Sequence, residues 1–395
     1  MTTATDRVPA QVLVVDDVEV NRDLLARRLQ RLGHVVTMAE NGQQAVELAE
    51  AGAFDLVLLD VMMPVLDGIG ALTALKANTR TRDVPVLMIS ANTEIETVVR
   101  CIELGADDYL SKPFDPVLLR ARVGASLEKK WLRDREKART QRMELDLEVG
   151  ARIQRDFLPD ALPVVPGYEF GARFEPAREV GGDFYDGFKL PDGSVALVLG
   201  DVCDKGVGAA LFMALFRSLI RSTASSQIGA SGLDVLKARV LHAVTVTNDY
   251  IANTHGRANM FATLFVGALD PATGQIAYVN GGHEPPRVIR ADGGVRTMLP
   301  PTGPAVGMLP EIPFIAGRFT LEPGETLLVL TDGVTESRAP NGLLLGDDAT
   351  DALLVEPADS AAALLDRVMD AVHAHAAGAP AADDVTLLGV RRAKS

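Results

Sequence analysis

Residues that staple a fold or ligate soft metals are scarce in this chain. Its 395 residues include two cysteines, Cys101 and Cys203, far apart and without a pairing pattern, and six histidines. That excludes a disulfide framework and fits a reducing compartment. No cysteine–histidine cluster at metal-ligand spacing is present, which argues against a zinc site. No apolar run approaches about 18 residues, so no membrane span is expected. The opening MTTATDRVPA lacks the apolar core of an export signal. Positive charge is short as well. The formal net charge is −14, which argues against a broad nucleic-acid or anionic-membrane surface. Helix-turn-helix and cyclase motifs are both missing. The expectation is a cytoplasmic protein that binds neither nucleic acid nor membrane.

What is present reads as globular: 47% of residues are hydrophobic and 23% charged. The length is too great for one core, so two or three domains are expected. Residues 8–124 alternate short apolar runs with amphipathic ones. VLVVDD, VVTMA, LVLLD, PVLMIS and the start of DYLSKPF read as strands, separated by helices near 20–32, 42–51 and 94–104. Five strands alternating with helices give a doubly wound parallel sheet, whose sites form at the carboxyl ends of strands. Asp16 and Asp17 end the first strand, Asp60 the third and Ser90 the fourth, and Lys112 follows the fifth. Three carboxylates that close repel one another unless a divalent cation joins them. A nearby ammonium and hydroxyl suit a phosphoryl group on one carboxylate, and Lys112-Pro113 restricts the lysine's backbone.

Residues 125–158 form a connector. A helix starting near Asp115 meets no breaker until Gly150, and its middle, EKKWLRDREKARTQRME, mixes both charges. Leu127, Trp131, Ala138, Leu145, Val149, Ile153 and Phe157 make a loose apolar stripe, which suggests a dimerising coiled coil. A solvated single helix is the plainer reading, and a charged face is more often solvated than nucleic-acid-binding.

Residues 159–395 shift to β-type runs with helices at 208–224, 232–252 and 358–377. Strands are expected in SVALVLG, MFATLFVGAL, QIAYVN, PRVIR, VRTML, TLLVL and VTLLGV. Hairpin turns are expected at Pro271–Gly274, Asp292–Gly294 and Glu322–Gly324. Grouped helices beside hairpins point to a layered α+β domain. Asp183 in a Gly-Gly-Asp loop, Asp201, Asp332 and Asp383 sit on four loops next to strands. Carboxylates alone prefer Mg²⁺ or Mn²⁺, and enough for two ions suggests two-metal hydrolysis of a phosphoester.

The first constellation, including the DxxMPxxDG run from Asp60 to Gly68, closely resembles the receiver domain of bacterial response regulators over residues 10–124. The resemblance implies a flavodoxin-like (βα)5 fold and Mg²⁺ held by Asp16, Asp17, Asp60 and the Met62 carbonyl. It further implies Asp60 as phosphoacceptor, Ser90 and Lys112 on the phosphoryl group, Tyr109 as the switch aromatic, and a sensor histidine kinase as partner.

Over residues 148–392, FEPAREVGGDFYD, GDVCDKGVGAALFMA, MFATLFVGALD, NGGHEPP and TDGVTES resemble the SpoIIE/RsbU-like branch of the PPM-type serine/threonine phosphatases. That implies an α/β/β/α sandwich holding two Mn²⁺ or Mg²⁺ ions. Asp201 would bridge them, joined by the Val202 carbonyl, Asp183, Asp332 and Asp383, with Asp384 the weaker candidate of its pair. The histidine that follows the bridging aspartate in eukaryotic relatives is absent. His283 is read as a loop-stabilising residue rather than its substitute, Cys203 as a small buried residue, and Lys205 as a turn lysine or a phosphate contact. The implied substrate is a phosphorylated, STAS-type anti-sigma-factor antagonist, and the implied assembly a homodimer. With the last strand close to Ser395, any antagonistic kinase is expected to be a separate protein. The competing reading is a phosphatase fold that only sequesters a partner, which the four intact aspartates oppose.

Overall fold

The structure is a computed structural model that describes residues 9–91, 95–226 and 233–394. Positions 8, 94, 232 and 395, where the sequence places element or domain ends, lie outside the described residues, as does most of the N-terminal segment. The chain divides into two compact units, Met1–Met143 and Glu144–Ser395.

The first unit contains β1 (Gln11–Val15), α1 (Glu19–Arg31), β2 (Val35–Ala39), α2 (Gly42–Ala51) and β3 (Leu56–Asp60). It continues with α3 (Gly68–Ala77), β4 (Val86–Ser90), α4 (Ile95–Glu103) and β5 (Asp108–Ser111), and α5 (Pro116–Phe157) follows. The strands form one parallel sheet in the order β2-β1-β3-β4-β5. Strands β3 and β4 are buried at every position, as expected when helices cover both faces. One face packs Leu13, Leu59 and Met88 against α2 and α3 residues; the other packs Val12, Leu58 and Ile89 against Leu25, Leu119 and Val123. The order reverses between β1 and β3, which makes their carboxyl ends the switch point. Asp67 caps α3 by accepting from the Gly70 N–H. Gly68 is required beside it, because a Cβ there would stand 2.0 Å from the Asp60 carbonyl oxygen.

Helix α5 passes through Gly150 without a break and ends at Phe157, before Pro159. A single interior glycine costs only about 1 kcal/mol. Leu127 and Trp131 belong to the receiver core rather than to a seam. The basic run that follows is matched by receiver carboxylates: Lys129 and Arg133 lie 3.5 and 4.0 Å from Asp107, Lys130 3.6 Å from Asp55, and Lys137 2.6 Å from Asp83. Leu145, Val149, Ile153 and Phe157 are exposed along the rest of the helix.

In the second unit, β6 (Tyr168–Glu175), β7 (Phe184–Lys189) and β8 (Val195–Val202) precede α6 (Val207–Ala224) and α7 (Leu233–His255). Then come β9 (Ala262–Leu269), β10 (Gln275–Gly281), β11 (Arg287–Ile289), β12 (Val295–Met298), β13 (Gly317–Thr320) and β14 (Thr326–Leu330). Helices α8 (Asp332–Thr335), α9 (Gly346–Leu353) and α10 (Ala361–Ala376) lead to β15 (Val385–Arg392). Two antiparallel sheets result, ordered β13-β10-β9-β8-β7 and β12-β11-β14-β15-β6. Their inner faces meet through Leu197, Leu199 and Phe265 on one side and Val329, Leu388 and Val390 on the other. Helices α6 and α7 cover the first sheet, and α10 covers the second. The layers are therefore α/β/β/α.

Three strands escape the sequence pattern. β6 is half-exposed along its length. β7 carries Asp186 inside, paired with Arg217 and Arg221 at 3.2 and 2.8 Å, and β13 is a short edge strand. The turn at Glu322–Gly324 is not a hairpin: β13 pairs with β10 in one sheet and β14 with β11 and β15 in the other, so the chain crosses the sandwich there. Among the described residues, Val207–Ala224 is the one helix long and apolar enough to cross a membrane by length and composition, which revises the expectation that no run nears that length. Here it is a core helix, burying Ala209, Met213, Phe216, Ile220 and Ala224 at helical spacing.

Candidate functional site

In the first unit, Asp16, Asp17 and Asp60 bring ligand oxygens within 4.8 Å of one another, and they are the one such group among the described residues. Asp16 and Asp17 follow β1, and Asp60 is the last residue of β3. Asp16 is fixed by the Val18 N–H at 2.9 Å and the Asn21 amide at 3.2 Å, while Arg22 donates to the carbonyls of both Asp16 and Asp17. Lys112 Nζ lies 2.7 Å from Asp16 Oδ2 and 2.8 Å from Asp60 Oδ2. Burial pushes the Asp60 carboxyl up, and the Lys112 ammonium opposes that rise. Ser90 is buried at the end of β4, one residue beyond Ile89, the register partner of Asp60. Tyr109 is half-buried on β5, and Met62 is exposed two residues after Asp60. An all-oxygen set at this spacing fits a hard divalent cation.

In the second unit, the four predicted aspartates come from both sheets. Asp183 precedes β7, Asp201 lies within β8 opposite Thr263, Asp332 follows β14 and Asp383 precedes β15. Asp183 is fully buried, and the Thr331 and Thr386 hydroxyls donate to its Oδ2 at 2.8 and 2.5 Å. Asp384 organises the backbone beside them. Its Oδ1 accepts from the Ala177 N–H at 2.8 Å; its Oδ2 accepts from Gly182 at 2.7 Å and Asp183 at 3.3 Å. The glycines of both motifs exist for this closure. A Cβ on Gly181 would stand 2.3 Å from Asp384 Oδ2, one on Gly182 2.6 Å from the Val202 carbonyl, and one on Gly333 1.9 Å from the Asp384 carbonyl.

Crowding of these acids shows in their protonation. Burial, then the neighbouring Asp332, pushes the Asp201 carboxyl up to about 7. Burial, then Asp201 and Asp384, lifts Asp183 well above the ordinary range, and burial with Asp383 lifts Asp332. Carboxylates that raise one another in this way are neutralised by multivalent cations, and a set made only of oxygens selects Mg²⁺ or Mn²⁺ over softer metals.

Residues 191–393, just over half of the chain, match the family model of stage II sporulation protein E (SpoIIE). The chain belongs to the SpoIIE family. Residues 12–124 match the response regulator receiver domain. Protein IcfG of Synechocystis is 40% identical over 264 residues, which cover 63% of this chain and 42% of that protein. The alkaline phosphatase synthesis transcriptional regulatory protein PhoP of Bacillus subtilis is 43% identical over 119 residues, 30% of this chain and 49% of PhoP. The chain thus spans less than half the length of these curated relatives. The SiaA-PP2C domain of Pseudomonas aeruginosa superposes with a TM-score of 0.54 at 19% identity, covering 64% of this chain and 98% of that one, which is a likeness of fold.

Around the SpoIIE-domain site, His283 is buried and not on the aspartates. Its Nδ1 pairs with Thr263 Oγ1 at 2.9 Å, and its backbone N–H donates to Asn280 Oδ1 at 2.7 Å. Burial pushes its imidazole down to about 3, so it is a neutral strut. Cys203 is half-exposed rather than buried, because its strand ends beside an open turn. Burial, then Asp201, still pushes its thiol up, against the Phe261 N–H that it accepts. Lys205 is no free turn lysine, since its Nζ lies 2.8 Å from Asp383 Oδ2. Three supporting residues escape the sequence reading. Thr331 and Thr386 each sit beside an aspartate motif, and that adjacency was the available signal. Gln154, near the end of α5, donates to the Gly181 carbonyl at 2.6 Å and accepts its N–H at 3.0 Å; nothing in its helical context marks it.

Proposed function

We propose that this chain is a response regulator whose output is a metal-dependent protein serine/threonine phosphatase. The observation that carries the reading is the convergence of Asp183, Asp201, Asp332 and Asp383 from two sheets, with burial and mutual repulsion lifting three of them. Two Mn²⁺ or Mg²⁺ ions held there with the Val202 carbonyl would activate a water and neutralise phosphate charge. The protein's own part is positioning. Thr331 and Thr386 orient Asp183, Asp384 closes the Gly181–Asp183 loop, and β8 with β9 holds Asp201.

In the receiver, over residues 8–124, Asp60 takes a phosphoryl group from a sensor histidine kinase, and Asp16, Asp17, Asp60 and the Met62 carbonyl would hold Mg²⁺ to neutralise its charge. Ser90 and Lys112 contact that group, and Tyr109 reports it. The connector over 125–158 pairs two chains through the exposed Leu145, Val149 and Ile153. Gln154, bound both ways to Gly181, supports a route from that helix to the loop bearing Asp183 in the domain over 159–395. The substrate is a phosphoserine or phosphothreonine on a STAS-type anti-sigma-factor antagonist, a reading that rests on the resemblance to the RsbU-like branch. The test is hydrolysis of a phosphoserine protein with Mn²⁺ by wild type and Asp201→Asn, each with and without beryllofluoride. Activity lost in Asp201→Asn and altered by beryllofluoride is expected. Equal rates in both proteins would overturn the assignment.

A further inference from the structure

The turn that leads from Asp201 into α6 is tightly specified. Asp204 and Gly206 both hold left-handed backbone, at φ +73° and +84°, and the Gly206 carbonyl accepts the first helical bond, from the Ala210 N–H. Between them Lys205 reaches across the site. Its Nζ lies 2.8 Å from Asp383 Oδ2 and donates to the Ala382 carbonyl. Two motifs 177 residues apart in sequence are joined there. Both side chains are about one-third exposed, so an ion from solvent can reach the pair. Lys205 also partly offsets the crowding at Asp332.

We propose that Lys205 is a resident counter-ion that competes with the divalent cation for Asp383, and that tethers the turn before α6 until the ion takes its place. This rests on the reading of Asp383 as a metal ligand. The reasoning is steric and electrostatic. A carboxylate oxygen with an ammonium at hydrogen-bond distance cannot give the same lone pair to a hard cation, and two cations on one carboxylate repel each other. Metal arrival at Asp383 therefore releases Lys205. Release removes the one ion pair that ties the turn carrying Gly206 to the β15 end of the other sheet among the described residues. Metal loading and the anchoring of α6 are thereby linked.

The test is Mn²⁺ binding to the full chain, with free Mn²⁺ counted by electron paramagnetic resonance. Asp17→Asn is included throughout to silence the receiver cluster. Lys205→Met and Lys205→Gln are expected to tighten Mn²⁺ binding about threefold, while Lys205→Arg leaves it unchanged. The tightening is expected to vanish in an Asp383→Asn background, which is the signature of competition at that carboxylate. Unchanged or weaker binding in both neutral variants overturns the proposal, as does equal tightening with and without Asp383. If Asp383→Asn alone leaves Mn²⁺ binding intact, the ligand reading of Asp383 falls and the competition falls with it.

Discussion

The two acidic centres of this chain are built by opposite routes. The receiver draws Asp16, Asp17 and Asp60 from the ends of adjacent parallel strands and packs their oxygens within 4.8 Å. It carries its own compensation, because Lys112 touches both Asp16 and Asp60. The SpoIIE domain gathers its carboxylates from two antiparallel sheets and closes the loop with contacts spanning 201 residues, from Asp384 to Asp183. Its lysine forms an ion pair with Asp383, while burial and repulsion lift Asp201 to about 7. A carboxylate partly neutralised by a fixed ammonium suits a group that must be modified itself. Carboxylates left uncompensated suit a site that lacks its full charge until cations arrive.

Separating the two centres is the largest break available. Asp201→Asn removes the carboxylate at the middle of the SpoIIE-domain set. Loss of an outer-shell partner alone costs about 10- to 100-fold, so phosphatase activity is expected to fall by more than about a hundredfold. Labelling of Asp60 by acetyl phosphate should be unaffected. Asp60→Asn should do the reverse, abolishing labelling while basal hydrolysis of a phosphoserine protein persists. If either variant disables both readouts, the centres are not independent chemical sites.

Asp384→Asn sharpens the comparison by attacking support rather than ligand. An asparagine amide turned toward the Ala177 or Gly182 N–H leaves buried donors facing each other, at about 1–3 kcal/mol per unsatisfied group. A lowered unfolding midpoint is expected together with weakened Mn²⁺ binding. The receiver differs, since Asp16 accepts from the nearby Val18 N–H and Asn21 amide and pairs with Lys112. A normal melting curve with normal Mn²⁺ affinity would mean the loop closes without Asp384.

That same difference decides what the sequence reveals. The receiver's site residues lie at strand ends that alternating apolar runs mark plainly, so the parallel sheet and its acidic ends are legible together. In the SpoIIE domain the aspartates stand out because glycines flank them, and the structure gives the reason: Gly181, Gly182 and Gly333 each face a carboxylate or carbonyl where a Cβ would clash. The supporting groups stay hidden. Thr331, just after β14, and Thr386, within β15, are undistinguished until the two strands pair and both hydroxyls meet Asp183. β7 is obscured by Asp186, whose charge is matched by two arginines of α6. Tertiary pairing, not local pattern, supplies those facts.

Acid sensitivity offers a subtler probe of the SpoIIE domain. His283 is buried neutral, with its imidazole pushed down to about 3 from an ordinary value near 6.5. Between those values the unfolded chain binds the proton and the folded one does not, so stability rises with pH across that window. The contribution is complete above about pH 6.5 and is lost as pH falls toward 3, on the order of a few kcal/mol by pH 4. Replacing it by glutamine, which can still pair with Thr263, should flatten the acid limb of a denaturation series. An unchanged limb would show that His283 protonates freely in the fold.

The smallest expected effect concerns the cysteines, one in each unit. Cys101 is buried on α4, and burial pushes its thiol up. Cys203 is closer to chemistry, two residues after Asp201, yet its surroundings also favour the thiol. Burial and the Asp201 carboxylate raise it, and the single Phe261 N–H at 3.2 Å does not reverse that. A nucleophilic cysteine needs a thiolate, which a neighbouring cation, base or helix N-terminus supplies; a carboxylate neighbour does the opposite. Cys203→Ala removes two sulfur contacts, with the Asn259 carbonyl and the Phe261 N–H, at a half-exposed turn. Activity is therefore expected to stay within about twofold, the range of surface substitutions away from special features. Thiol labelling of the native protein at neutral pH should be slow at both positions. Rapid labelling of Cys203 coupled to loss of activity would place a thiolate beside the aspartates and make the two centres differ in kind of chemistry, not only in construction.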